Sequence, residues 1–370
     1  MHRLLLAKLE TPADAASPEA RYQLGVLRTE AAHVWGEVEL RRLAPGAPVG
    51  DAGGRDLLIV DTGSLLTSRR SLAAMERRLR DGAPAVVPTP LAAVLRPGEP
   101  APYTVRGFEA VEARTLAAPP APAAVPAALL PVALLDPAAA AAVAAAGDLR
   151  AVEVPAGAVR DGVYHRFVDY YGEVREDVLP FVPAGARDVL EIGCGAGGTG
   201  RLLQERLGCR VTGVELNPAA AEAAAAHLHA VVRGDVTTAP IAGSFDLVVA
   251  LELFEHLPEA EAVLARLAGL VRPGGRIVLS VPNVGHHAVV GDLLAGRWDY
   301  LAIGLLCYTH YRFFTRRTLT DWLERLGFQR FSLVPQPTEL PAAFAAARWE
   351  GVDLDRESLA TKGFYVLIDL

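Results

Sequence analysis

The sequence predicts an α/β chain built on an open, mostly parallel sheet, and three observations carry that prediction. The first is Val189-Leu190-Glu191-Ile192, an apolar run that leads into the glycine-rich turn Gly193-Cys194-Gly195-Ala196-Gly197-Gly198. The second is the continuation Thr199-Gly200-Arg201-Leu202-Leu203, which can start a helix. Strand, loop and helix then follow in the order of a Rossmann-type first unit. The third is recurrence: Arg210 to Glu215, Val231 to Asp235 and Ser244 to Glu252 are further apolar runs, each ending in an acid.

Glycine serves such a turn because it lacks Cβ, accepts positive φ and lets a ligand approach the backbone closely. Gly193-x-Gly195-x-x-Gly198 also fits the dinucleotide fingerprint, in which a pyrophosphate sits on a helix N-terminus. Glu191, two positions ahead of Gly193, argues otherwise. A carboxylate there opposes a pyrophosphate but suits a ligand carrying an ammonium and a sulfonium. Taken singly, Glu215 or Asp235 is an ordinary strand-end carboxylate and Pro273-Gly274-Gly275 a mere turn.

In this order and spacing, the turn, the acid-ended strands and Leu270-Val271-Arg272-Pro273-Gly274-Gly275 before Arg276 to Ser280 resemble the class I S-adenosylmethionine-dependent methyltransferases. The resemblance covers about residues 160 to 370. It implies a Rossmann-like seven-stranded, mostly parallel sheet whose last strand, Lys362 to Asp369, is antiparallel and pairs with Phe328 to Val334. It implies S-adenosylmethionine as cofactor, held by Glu191, Gly193, Cys194 and Gly195 of the turn, by Glu215 and Leu216 at the ribose, and by Asp235 and Val236 at the adenine. Leu251 borders the methionine part. A helix over His165 to Pro180 closes over the cofactor, with Tyr171 and Arg175 as contacts, although aromatic residues at this spacing also serve plain packing.

The sulfonium already activates the methyl group, so the protein has to align a nucleophile and exclude water. A base is needed only for an acceptor protonated at neutral pH, and histidine suits that role. Tyr308-Thr309-His310-Tyr311-Arg312-Phe313-Phe314-Thr315 resembles the Thr-His-x-Arg-Phe-Phe-Thr box of small-molecule methyltransferases related to ubiquinone-type O-methyltransferases. His310 is therefore a candidate catalytic residue, with a structural role pinning the insertion as the equal alternative. His256, in Phe254-Glu255-His256-Leu257, is the second candidate; it too has an alternative, that of orienting Glu255. The expected reaction is methyl transfer to a hydroxyl of a small molecule or sugar. N- or C-methylation and a cofactor-binding scaffold module remain as alternatives. Relatives of this type stand beside bacterial glycosyltransferases, which implies glycan or natural-product assembly enzymes as partners.

Composition bounds the rest. The 370 residues exceed one average domain of roughly 150. A net charge of -7 argues against a nucleic-acid or anionic-membrane surface, which needs clustered Lys and Arg. Three cysteines, Cys194, Cys209 and Cys307, fit no CxxC pattern, so no metal site is read from them and a reduced, cytoplasmic setting is expected. Proline or charge interrupts the Ala-rich stretches short of the ~20 residues of a membrane span.

Upstream, Tyr22 to Leu27 and Val34 to Leu40 are strand-like, Asp56 to Asp61 reads as a buried strand, Ser71 to Arg80 as an amphipathic helix and Ala85 to Pro88 as a strand. Leu58 to Ser64 with the following helix and strand resembles the centre of a family 2-like glycosyltransferase. Gly63 stands at the second carboxylate position, which favours a degenerate domain without its metal over the alternative of an active one. The proline-rich segment from Leu116 to Pro137 is a linker or a loop-rich part of this domain. An Ala-rich helix over Pro137 to Gly147 and a strand over Leu149 to Val154 put the boundary near 155, giving domains 1–155 and 156–370.

Overall fold

The computed structural model describes residues 3–9, 18–44, 47, 50–60, 64–66, 68–90, 95, 104–117, 121–122, 132–146, 157–167, 171–301 and 304–370. They fall into two compact units, Met1–Val168 and Asp169–Leu370. The first contains β1 (Arg3–Leu9), α1 (Pro18–Trp35), β2 (Glu37–Leu43), β3 (Asp56–Val60), β4 (Ser64–Leu66), α2 (Arg69–Arg80), β5 (Ala85–Pro90), α3 (Val105–Leu116), β6 (Ala121–Pro122), β7 (Val132–Leu135), α4 (Pro137–Ala146) and β8 (Val159–Phe167). Its mixed sheet has the order β2-β1-β3-β7-β5-β8-β4, with β6 against β8. Both faces are covered: Leu4, Leu6 and Leu58 pack with Leu24, Leu27, Ala31 and Trp35, while Leu5, Ala7, Leu57 and Ile59 pack in a second layer with Ala140. Near-continuous apolar runs such as Leu4-Leu5-Leu6-Ala7 are what a sheet buried on both sides requires.

Two expected elements are corrected here. Tyr22 to Leu27 is helical, because Leu24, Leu27, Ala31 and Trp35 recur at the helical period and bury one face of α1. Where a helix is expected from His165, the chain has the end of β8, to Phe167, and a 3-10 turn over Glu176–Phe181. β8 pairs with β5 in parallel and with β4 in antiparallel fashion, and Pro180 lacks the amide that a longer helix needs. The two compact units divide at Val168/Asp169. The Asp61-Thr62-Gly63 segment of the glycosyltransferase-like resemblance, Gly147 and the strand expected over Leu149 to Val154 lie outside the described residues.

The second unit contains β9 (Asp188–Ile192), α5 (Gly198–Leu207), β10 (Arg210–Glu215), α6 (Pro218–Ala225), β11 (Ala230–Arg233), β12 (Phe245–Leu251), α7 (Ala260–Ala268), β13 (Val271–Pro282), α8 (His287–Leu294), α9 (Arg316–Arg325), β14 (Phe331–Pro337), α10 (Ala342–Ala346), α11 (Arg356–Leu359) and β15 (Thr361–Asp369). They form a seven-stranded sheet of order β11-β10-β9-β12-β13-β15-β14. β9 to β13 are mutually parallel, and β15 runs antiparallel to both β13 and β14. The strand period of two sends Leu190 and Ile192 into one core layer and Val189 into the other, so both faces are dry. Thus the second unit is the Rossmann-like α/β sheet with an antiparallel last strand, and the first is a separate α/β unit.

A fragment starting at Asp169 is expected to fold and retain its ligand site, because all seven strands follow that residue. One starting at Ala156 carries β8 without its partner strands, leaving the apolar Val163 and Tyr164 unpaired and the fragment prone to associate. Gel filtration and thermal unfolding compare the two, and equal behaviour would detach β8 from the first unit.

Candidate active site

The strand order of the second sheet turns at β9: β10 and β11 lie on one side, β12 and β13 on the other. The carboxyl ends of strands at such a switch point flank a crevice. To that edge the chain delivers the glycine turn after β9, Glu215 ending β10, Asp235 after β11 and Glu252 after β12.

Gly193, Gly195 and Gly197 have φ of 70°, 54° and 83°, a region that side chains rarely enter. The Gly193 and Cys194 amides donate to the Val214 carbonyl at 2.8 and 3.2 Å. Gly195 N–H donates to Glu215 Oε2 at 2.9 Å and Asn217 N–H to Oε1 at 2.7 Å. Glu215 is buried and ties the turn to the start of α6. Burial raises its pKa, opposed by those same amides. Each carboxylate oxygen has a further lone pair for a hydroxyl donor. Tyr171 meets the turn through its backbone: its carbonyl accepts from Ala196 N–H at 2.6 Å and lies 2.4 Å from the position of a Cβ on Gly195.

Two residues of the expected cofactor set lie beneath the turn. Glu191 is buried, its Oε2 lacks a partner, and a Cβ on Gly200 in the first turn of α5 would stand 2.5 Å from that oxygen. Burial pushes its pKa up to about 8. Cys194 is buried with Sγ against Gly213, and burial raises its pKa also. Leu216 is 67% exposed beside Glu215. Asp235 is exposed and its Oδ1 accepts from both the amide and the hydroxyl of Thr237 at 2.8 Å. Val236 packs into the core and Leu251 is half-buried at the end of β12.

Beyond β12 the backbone is unusual. Glu252 has φ of 49°, the one non-glycine residue with positive φ among those described. Ser280 on the neighbouring strand holds it: Glu252 N–H donates to Ser280 Oγ at 3.0 Å, and Ser280 Oγ–H donates to Glu252 Oε1 at 2.7 Å. Such strain gathers at functional sites. One turn on, Glu255 is fully buried with neither carboxylate oxygen partnered; burial first, and the Glu252 charge second, raise its pKa well above the usual range.

The insertion carrying His310 is pinned against this turn. Tyr311 N–H donates to the Glu255 carbonyl at 2.8 Å, and the Arg312 guanidinium reaches the Leu257 carbonyl at 2.6 Å and Glu261 at 2.7 Å. The His256 and His310 rings consequently stand edge to face, centroids 4.6 Å apart. Thr309 Oγ1 lies 2.8 Å from His256 Nδ1. His310 Nδ1 has no partner, and burial together with the neighbouring His256 brings the His310 pKa down to about 3, so the ring is neutral at physiological pH. Both histidines singled out in the sequence thus come together. Glu252, Ser280 and Thr309 were not singled out; only the Glu-x-x-Glu-His spacing of 252 to 256 signalled any of them.

A Rossmann-like sheet with a glycine turn and an acid at the end of β10 defines a nucleotide-cofactor enzyme fold. A "Methyltransferase domain" family matches residues 164–333. A ubiquinone biosynthesis O-methyltransferase of Xanthomonas axonopodis pv. citri is 37% identical over 164 residues, 40% of this chain and 64% of that protein. The namesake from Aromatoleum aromaticum is 30% identical over 41% of this chain and 67% of its own length. The chain therefore spans just under two thirds of the Xanthomonas relative. A solved methyltransferase from Archaeoglobus fulgidus is similar over 52% of this chain and 90% of its own, at 22% identity and a TM-score of 0.40. The chain belongs to the class I S-adenosylmethionine-dependent methyltransferases, and S-adenosylmethionine is its cofactor. The site suits it: the glycine turn is held at positive φ against the Tyr171 backbone, and Glu215 beside it offers paired acceptors to a ribose diol. Among the described residues no helix is long and apolar enough to cross a membrane.

Proposed function

We propose that this protein transfers the methyl group of S-adenosylmethionine to a hydroxyl of a small molecule or sugar, and that its first unit is accessory to that reaction. The observation that carries the reading is the meeting of His256 and His310, with Glu255, at the end of β12, on the same sheet edge as the glycine turn and Glu215. In this reading Gly193, Gly195, Glu215, Leu216 and Asp235 bind the cofactor, and His256 and His310 face the acceptor. A hydroxyl is a weak nucleophile at neutral pH and must lose its proton as it attacks, whereas an amine acceptor needs less help. The acceptor oxygen forms its bond to the methyl carbon as the carbon–sulfur bond breaks. The bonding pair returns to sulfur, leaving S-adenosylhomocysteine. The names of the ubiquinone biosynthesis relatives support oxygen as the acceptor atom.

The test pairs phenolic, catecholic and sugar acceptors with matched amines and locates the transferred label by mass spectrometry. Methylation on oxygen is expected. His310→Ala and His256→Ala should each lower kcat by about 100-fold or more, as losing assistance to proton transfer does, with S-adenosylhomocysteine affinity unchanged. Methylation confined to nitrogen or carbon would overturn the reading.

A further inference from the structure

We propose that His287 selects the methyl acceptor: its Nε2 takes a hydrogen bond from a hydroxyl remote from the one methylated, which makes that acceptor a sugar. This deepens the O-methyltransferase reading and rests on it for the acceptor's place, while the hydrogen-bond chemistry stands on the ring itself.

Two adjacent histidines open α8, and the fold uses them differently. His286 is fully buried with both nitrogens engaged: Nδ1 accepts from Ala288 N–H at 3.3 Å, so Nε2 carries the proton and donates to Thr338 Oγ1 at 2.9 Å. That ring caps α8 and has nothing left to offer a ligand. His287 is half-buried, and its Nδ1 lies 3.0 Å from the Leu359 carbonyl oxygen. A carbonyl only accepts, so Nδ1 is the nitrogen that carries the proton. Burial lowers the His287 pKa against that bond, so the ring is neutral at physiological pH. Nε2 is thereby a lone pair that no residue among those described takes. The His286 and Phe344 rings hold it in place, with centroids 4.0 and 5.8 Å away.

The ring stands on the side where that reading puts the methyl acceptor. Glu215 ends β10 and Asp235 follows β11, so a cofactor bound to both turns its methyl toward β12 and the strands beyond it, β13 and β15. α8 follows the carboxyl end of β13. Its approach is tied to the insertion carrying His310, since Val284 N–H donates to the Phe314 carbonyl at 2.9 Å. On the other side the Asn283 side chain donates to the Ser358 and Thr361 carbonyls at 2.9 and 2.7 Å, fixing α11 and with it Leu359.

Reach decides the kind of acceptor. The ring neighbours of His287 are His286 and Phe344, and those of His310 are His256 and Phe313. Hydroxyls on adjacent carbons stand within hydrogen-bond reach of each other and cannot serve two histidines whose rings neither touch nor share a neighbour. A catechol therefore fails this geometry, whereas a sugar ring carries hydroxyls on opposite sides. Phe344, half-buried beside His287, offers an apolar surface to the sugar's C–H face. A mostly apolar lining with a few placed polar groups is how pockets fix orientation.

The experiment measures kcat and KM of the full chain for methyl glycosides of glucose, galactose and mannose, for their monodeoxy analogues, for catechol and for matched amines. Methylation of a glycoside in preference to catechol is expected. His287→Phe should lower kcat/KM for it about 3- to 10-fold, the worth of one neutral hydrogen bond, through KM with kcat unchanged. One deoxy analogue should lose the same factor with wild type and nothing further with the variant. His287→Gln, which keeps an accepting oxygen, should recover part of the loss. Should His287→Phe fail to fold, His287→Gln and the ring 15N spectrum of the wild-type full chain decide, the proton being expected on Nδ1. An equal loss for every analogue, a fall in kcat instead of a rise in KM, or a proton on Nε2 overturns the role of His287. Catechol methylated on oxygen with no glycoside turned over overturns the sugar and leaves the O-transfer reading intact. Methylation of the amines alone overturns both.

Discussion

Gly195→Ala is expected to lower the affinity for S-adenosylhomocysteine by at least about 10-fold, and Gly195→Asp to abolish binding. Two costs coincide at this position. The backbone is held at φ of 54°, where a side chain costs about 1–3 kcal/mol. The added Cβ would also stand 2.4 Å from the Tyr171 carbonyl oxygen, so backbone and not a flexible tip must move. Moving it breaks the bond from Ala196 N–H to that carbonyl and disturbs the bond from Gly195 N–H to Glu215, the residue assigned to the ribose. Aspartate further sets a carboxylate against Glu215. Gly208→Ala is the control: φ is 66°, no atom lies within 4 Å of its added Cβ, and it sits at the opposite end of α5. It should cost about 1 kcal/mol of stability and leave affinity alone. Calorimetric titration of the three variants separates the cases. Wild-type affinity in Gly195→Ala would remove the turn from the cofactor site, and an equal loss in Gly208→Ala would trace the effect to α5.

The cofactor half was legible in the sequence because its signals are local. A glycine turn declares itself by composition, and Glu215 ends its own strand only twenty-odd residues later. The acceptor half was legible as candidates but not as an arrangement. Thr309 and His256 are 53 residues apart, and their meeting depends on Tyr311 and Arg312 anchoring the insertion to the turn after β12. No spacing rule encodes that contact, nor the positive φ of Glu252, which Ser280 enforces from the next strand. Misread elements have the same origin at shorter range. Six residues from Tyr22 look extended; only a window reaching Trp35 reveals the helical face. The start of the helix expected over His165 to Pro180 is the end of β8, whose partner strands, β4 and β5, come from far upstream.

Glu191→Gln should remove a pH dependence of stability that the wild-type chain carries. Burial beneath the first turn of α5 raises the folded carboxyl to about 8 against an ordinary 4.5, with Glu215 adding to the shift and the Gly200 amide opposing it. The folded chain therefore keeps a proton that the unfolded chain releases above about pH 4.5. Stability then falls as pH rises from about 5 to about 8, by on the order of 4 kcal/mol for this group, and levels off above. Glutamine is an uncharged isostere of the protonated acid, so the variant should match wild type near pH 5 and exceed it at pH 8. Glu215 and the Cys194 thiol, also raised by burial, remain in both chains, so the difference between the two curves isolates residue 191. Denaturant melts across this range test it, and parallel curves would show Glu191 to be solvated or already paired. Repeating the melts with saturating S-adenosylmethionine decides its role. A sulfonium and ammonium near the carboxyl favour its charged form and flatten the wild-type slope. If the slope persists, Glu191 supports the turn from below without touching the cofactor's charge.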